Sequence, residues 1–186
     1  ASESLFLTGV VTLDATGGSG TIAVQGASVW PSILANAGNT FTFTANSDLT
    51  ARLGTISLQS SSTPSITVAS PLAWTALAGI TLGRPVSVTS GSGTFAWDSD
   101  SDSDGTGTIT CASTSSVTVN SAALFEMTAA DIDLQCTISG SAATTVIATV
   151  AGLSLGPTGG ASILHLTDTE FDLFTATGAL TLGGST

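Results

Sequence analysis

Short alternations of apolar and polar residues, separated by glycine, serine and proline, run along almost the whole chain and read as strands. The strongest lies near the N-terminus. Over residues 4–13, Leu5, Leu7, Gly9, Val11 and Leu13 fall on one face at period two, and Phe6, Thr8, Val10 and Thr12 fall on the other. Such an apolar strand has to be buried in a sheet. A glycine-rich turn follows over residues 14–20, with Thr16-Gly17-Gly18-Ser19-Gly20 as a tether. Further strands are predicted over 21–24, 41–44, 55–58, 65–68, 117–119, 132–138, 144–155, 162–166 and 179–182. A hairpin is predicted from 85–97 and 107–111. Short helices are predicted over 29–38, from Pro31 to Gly38; over 70–79, with Ser70 as N-cap and Pro71 in the first turn; and over 121–127. Thr167 with Glu170 matches a capping box, so a helical turn is predicted there as well.

Residues 65–68 echo residues 21–24, and Trp74 echoes Trp30, both at a distance of 44 residues. Two copies do not make a solenoid, which needs at least three stacked units. The echo therefore reads as two similar crossovers within one sheet structure. The fold class predicted is an all-β, antiparallel β-sandwich of jelly-roll or immunoglobulin-like type, with a few short helical turns. Residues 1–20 form the opening strand and tether, and residues 21–186 a single sandwich domain.

Composition narrows the function classes. The chain has no lysine, and Arg52 and Arg84 face 13 carboxylates, giving a net charge of −11. That balance excludes nucleic acid, whose phosphates need clustered cations, and disfavours anionic membrane surfaces. No apolar run is long enough to span a bilayer. Charged residues make up 8% of the chain against about 25% in ordinary globular proteins, so serine, threonine, glycine and alanine must cover the surface. Such neutral surfaces cost little to desolvate and suit close protein–protein packing. Cys111 and Cys136 lie in strand-like runs, and an even cysteine count in a chain that looks exported predicts one disulfide.

The sharpest chemical signal is the run of Asp98, Asp100, Asp102 and Asp104 with Gly105. Asp100, Asp102, Asp104 and Gly105 match positions 1, 3, 5 and 6 of an EF-hand-type calcium loop, but position 12 is Cys111, so the bidentate carboxylate is missing. The run reads equally as a weak calcium site and as a solvated acidic tip. The string Gly152-Leu153-Ser154-Leu155-Gly156 resembles a nucleophile elbow, yet Pro157 follows where that mechanism needs a helix. His165, the only histidine, reads as structural, and of Trp30, Trp74 and Trp97, which could stack on sugars if exposed, two read as core. No catalytic constellation emerges, so no enzyme activity is predicted.

The row Leu5, Leu7, Gly9 and Val11 resembles the N-terminal donor strand of donor-strand-exchange pilus subunits, in which an alternating apolar segment with a central glycine completes a neighbouring subunit's sheet. The resemblance implies a secreted structural subunit that assembles head-to-tail with copies of itself into an extracellular filament or surface layer. Two other classes stay open: a calcium-stabilised adhesive or carbohydrate-binding module, and a viral coat or decoration protein.

Overall fold

The computed structural model describes residues 10–15, 22–37, 41–59, 66–150, 152–156, 164–175 and 178–183. Every strand pair in it is parallel, and outside the closing pair near the C-terminus consecutive strands do not pair. Each strand instead pairs with the strand three places along the chain. The result is a three-faced β-solenoid. The first rung is β1 (Val10–Ala15), β2 (Ile22–Val24) and β3 (Ser28–Trp30). The second is β4 (Ser32–Ala37), β5 (Phe41–Phe43) and β6 (Leu49–Ala51), and the third is β7 (Ile56–Gln59), β8 (Ile66–Ala69) and β9 (Leu72–Ala76). The fourth is β10 (Ile80–Leu82), β11 (Val86–Ser90) and β12 (Thr94–Asp98), and the fifth is β13 (Thr108–Cys111), β14 (Ser116–Val119) and β15 (Leu124–Ala129). The sixth is β16 (Asp131–Leu134), β17 (Thr137–Ser139) and β18 (Ala143–Ala148). Sheet A collects the first strand of each rung, sheet B the second and sheet C the third. A closing segment follows: β19 (Leu153–Leu155), β20 (Leu164–Leu166), α1 (Asp168–Phe171) and β21 (Leu180–Leu182).

This overturns the antiparallel sandwich. Alternation at period two says only that one face of a strand is buried, and a sandwich strand and a solenoid strand share it. What separates the two folds is how the chain turns between strands. A single residue, Pro31, separates β3 from β4, and a single residue, Ala130, separates β15 from β16. Such a link turns a corner into the next sheet and does not reverse the chain. The 85–97/107–111 hairpin is corrected on the same ground: β11, β12 and β13 belong to three different sheets. In place of the helices predicted at 29–38, 70–79 and 121–127 stand β3 and β4, β9, and β15, because their apolar residues stack between rungs. The capping box is borne out. Thr167 Oγ1 accepts the Glu170 N–H, and Glu170 accepts the Thr167 N–H, at the start of α1.

Register turns the alternation into columns. In sheet A, Val11, Ile33, Ile56, Ile80, Ile109 and Ile132 stack directly on one another. In sheet B, Ile22, Phe41, Ile66, Val86, Val117 and Ile138 do the same. In sheet C, Leu49, Trp74, Trp97, Met127 and Val146 form one column, and Leu72, Phe95 and Phe125 run beside it. The Trp74 and Trp97 rings stack 5.6 Å apart at 6°, and Phe95 lies edge-on to both. Both indoles are fully buried. The outward positions of sheet B form a neutral ladder of Thr42, Thr67, Ser87, Thr118 and Ser139. At the turn after β17, Gly140 takes φ +121°, where a Cβ would collide with the Val119 carbonyl, so only glycine fits that turn.

Val11 and Leu13 of the opening strand lie in β1 and pair in parallel with β4 of the same chain. Leu5, Leu7 and Gly9 lie outside the described residues, as does the tether at 16–20.

Candidate functional site

The acidic run occupies the corner between β12 and β13. The sheet A column advances by 22 to 24 residues per rung, except between Ile80 and Ile109, where this corner lengthens the step. Asp100 is fully buried beneath the loop. Its Oδ1 accepts the Asp104 N–H at 3.2 Å, and its Oδ2 accepts the Gly105 N–H at 3.2 Å and the Thr149 hydroxyl. Asp104 Oδ1 accepts the Thr106 N–H and hydroxyl at 3.0 and 2.6 Å. Asp100, Asp102 and Asp104 each bring one oxygen to within 4.8 Å of the others. Gly105 takes φ +86°, the sharp turn that the sixth position of a calcium loop requires. The donor set is all oxygen, which suits calcium. Asp98 stands apart from the three. It is half-buried on sheet C, and its Oδ1 accepts the Asp100 N–H at 3.4 Å. Burial holds its carboxyl above the usual range, and the charges of Asp100, Glu126 and Asp102 push the same way, against the lowering effect of that N–H. The spacing alone gives no sign of Thr149, which follows β18, two rungs further along the chain.

Two residues set aside singly in the sequence stand together. Ser154 on β19 and His165 on β20 are register partners, and Ser154 Oγ lies 2.8 Å from His165 Nδ1. His165 Nε2 is buried with no hydrogen-bond partner. Among the described residues, no carboxylate hydrogen-bonds to the imidazole, the third group that a hydrolytic triad uses to orient it. Cys111 and Cys136 form the predicted disulfide, tying the fifth rung to the sixth. Arg84, the second of the two cations, is buried at the corner between sheets A and B, and burial lowers its pKa.

The two ends of the solenoid differ. At the C-terminal end, the closing segment covers the last strand of every sheet. Glu170 Oε1 accepts the Leu134 N–H of β16 at 3.1 Å. The Leu173 carbonyl accepts the Ile138 N–H of β17 at 2.9 Å, and β21 pairs with β18. A free strand edge is a template for unwanted pairing, and this segment blunts it. Five large hydrophobic residues stand exposed among the described residues: Val10, Val29, Leu53, Leu155 and Phe171. Val29 lies just before the corner that joins sheet C to sheet A in the first rung, and Val10 opens β1 just after it in space. The Leu53 N–H donates to the Pro31 carbonyl at that same corner. Leu155 and Phe171 belong to the closing segment. The exposed apolar residues therefore gather at the two ends, leaving the middle rungs of the faces without them. No helix among the described residues is long and apolar enough to cross a membrane. No family model matches the sequence, and no curated protein or solved structure matches it either.

Proposed function

We propose that this chain is a structural subunit of an extracellular assembly, built from copies of itself packed end to end, with no enzymatic activity of its own. One observation carries the reading: among the described residues, the large exposed apolar side chains belong to the first two rungs and the closing segment of the parallel solenoid, and none to the rungs between. Isolated apolar residues are ordinary on a protein surface, but apolar groups concentrated at opposite ends favour association along the axis. End packing replaces strand donation in this reading, because Val11 and Leu13 are already engaged in their own sheet. The disulfide supports an oxidising, extracellular setting. Calcium, held by Asp100, Asp102 and Asp104, would stiffen the longest corner without taking part in any reaction. Sedimentation velocity over a concentration series of the purified chain tests the proposal. Growth into species larger than dimers is the expected result, and a monomer at every concentration would overturn it.

A further inference from the structure

We infer that Ser154 is an acyl acceptor, a nucleophile that His165 assists as general base and that takes one acyl group from an activated ester. The inference stands apart from the assembly proposed above, and a stoichiometric acceptor needs no turnover.

Geometry brings the two groups into reach. Ser154 Oγ lies 2.8 Å from His165 Nδ1 across the β19–β20 pair, close enough for a base to take the hydroxyl proton. The surrounding sequence leaves the hydroxyl accessible. Ser154 is half-buried, and Gly152 and Gly156 stand two residues to either side of it, so no side chain flanks it along the strand at those positions. Among the described residues, a Cβ at Gly156 would meet no atom within 4 Å. Competing nucleophiles are scarce as well. The chain has no lysine and no tyrosine, and both cysteines are held in the disulfide.

The same geometry sets how reactive the pair is. When Nδ1 accepts from the Ser154 hydroxyl, Nε2 carries the ring hydrogen, and that buried donor has no acceptor. An unpaired buried donor disfavours this tautomer by roughly 5- to 150-fold. General-base assistance contributes about 10²–10⁴-fold. Taken at their central values, these leave a net gain on the order of tenfold. The carboxylate of Glu170, five residues along the chain from His165, is engaged by the Leu134 and Thr167 N–H groups. In the step itself, Ser154 Oγ bonds to the acyl carbon and its proton passes to Nδ1. The bond from the acyl carbon to the leaving oxygen breaks, and the departing aryl oxide takes the electron pair and then the proton from the imidazolium. Hydrolysis of the new ester would have to expel a serine alkoxide, a far poorer leaving group than an aryl oxide. The acyl group therefore stays on Ser154.

Incubation of the purified chain with p-nitrophenyl acetate, followed by mass spectrometry of its peptides, tests the inference. The peptide carrying Ser154 should gain a single acetyl group, at a rate about tenfold above that in His165→Gln. In Ser154→Ala the same peptide should stay unlabelled, which assigns the acetyl group to that hydroxyl and not to the terminal amine. Circular dichroism and an unchanged melting temperature establish that each variant is folded. Wild type unfolded in urea supplies a second comparison that needs no folded variant, because unfolding separates Ser154 from His165, and its Ser154 should label as slowly as that of His165→Gln. Equal rates at Ser154 in the wild type, in His165→Gln and in the unfolded chain would overturn the inference. So would acetyl groups scattered over many serines and threonines. Continuous p-nitrophenol release that Ser154→Ala abolishes would overturn the stoichiometric acceptor, and with it the absence of enzymatic activity. None of these outcomes depends on whether the chain assembles.

Discussion

Replacing both half-cystines with alanine should loosen one end of the molecule and leave the other intact. Cys111 closes β13 in the fifth rung, Cys136 sits between β16 and β17 in the sixth, and the bridge spans 25 residues with its Cα atoms 5.6 Å apart. Closing a loop of that length stabilises the folded state by about 3.5 kcal/mol on the chain-entropy argument. In a small globular domain that loss would lower global stability everywhere. In a solenoid each rung contacts chiefly its neighbours, so stability is close to a sum of local terms. The loss should therefore fall on the sixth rung and the closing segment. The sensitive amides are Leu134, bonded to Glu170; Gln135, bonded to the Cys111 carbonyl; and Ile138, bonded to the Leu173 carbonyl. A change of this size corresponds to roughly two and a half orders of magnitude in exchange rate. Hydrogen exchange followed by mass spectrometry on the Cys111→Ala/Cys136→Ala variant should show that acceleration in peptides covering 131–139. Peptides covering 49–59 and 66–82 should exchange as in the wild type. Equal acceleration in all of these peptides would refute the rung-by-rung picture, and no acceleration in 131–139 would refute the loop-entropy estimate.

Other outcomes follow from the same geometry. Trp97→Ala should lower stability in denaturant melts by about 3–5 kcal/mol, since it empties the centre of the sheet C column, and a loss under 1 kcal/mol would contradict that packing. Asp98 binds its proton more tightly in the folded protein than in the unfolded chain. Its ionisation therefore destabilises the fold as pH rises from the ordinary carboxylate value, about 3.9, through the higher folded value. Asp98→Asn should raise the melting temperature at pH 7 and narrow the difference between pH 4 and pH 7, whereas an unchanged pH profile would rule this out. Calcium at tenfold over a dissociation constant of about 10⁻⁴–10⁻³ M should stabilise the protein by roughly 1.4 kcal/mol. Asp102→Asn should abolish that gain, and a melting temperature indifferent to calcium would leave the acidic corner as a solvated, self-bonded loop.

Many of the strands were legible in the sequence, because burial of alternate residues is a local property, but β3, β4, β9 and β15 read as helices, since a capping residue or a proline beside an apolar run fits a helix start as well as a solenoid corner. Ile56, Ile80, Ile109 and Ile132 each sit in a short alternating run and each is buried. Strand direction was not legible, because it depends on corners of one to a few residues whose geometry leaves little trace in composition. The 44-residue echo of Ile22 in Ile66 was a real signal at the wrong period. Two rungs separate these residues, and Phe41 stands between them in the same column, disguised by its different side chain. The tryptophan half of the echo was coincidence, since Trp30 stacks on Ala51, and Trp74 on Leu49. The long acidic corner hid the repeat further by stretching one step. The Asp100–Thr149 and Ser154–His165 contacts were invisible for a related reason: register, which the sequence does not write down, brings them together.

X-ray fibre diffraction from aligned assemblies tests the central claim most directly. If solenoids stack end to end, the strands run across the fibre axis, and a meridional reflection at about 4.8 Å should appear. It should be accompanied by an axial subunit repeat on the order of 30 Å, set by six rungs at that spacing plus the closing segment. An aligned fibre without the meridional reflection, or with a subunit repeat unrelated to the length of the solenoid, would contradict the account.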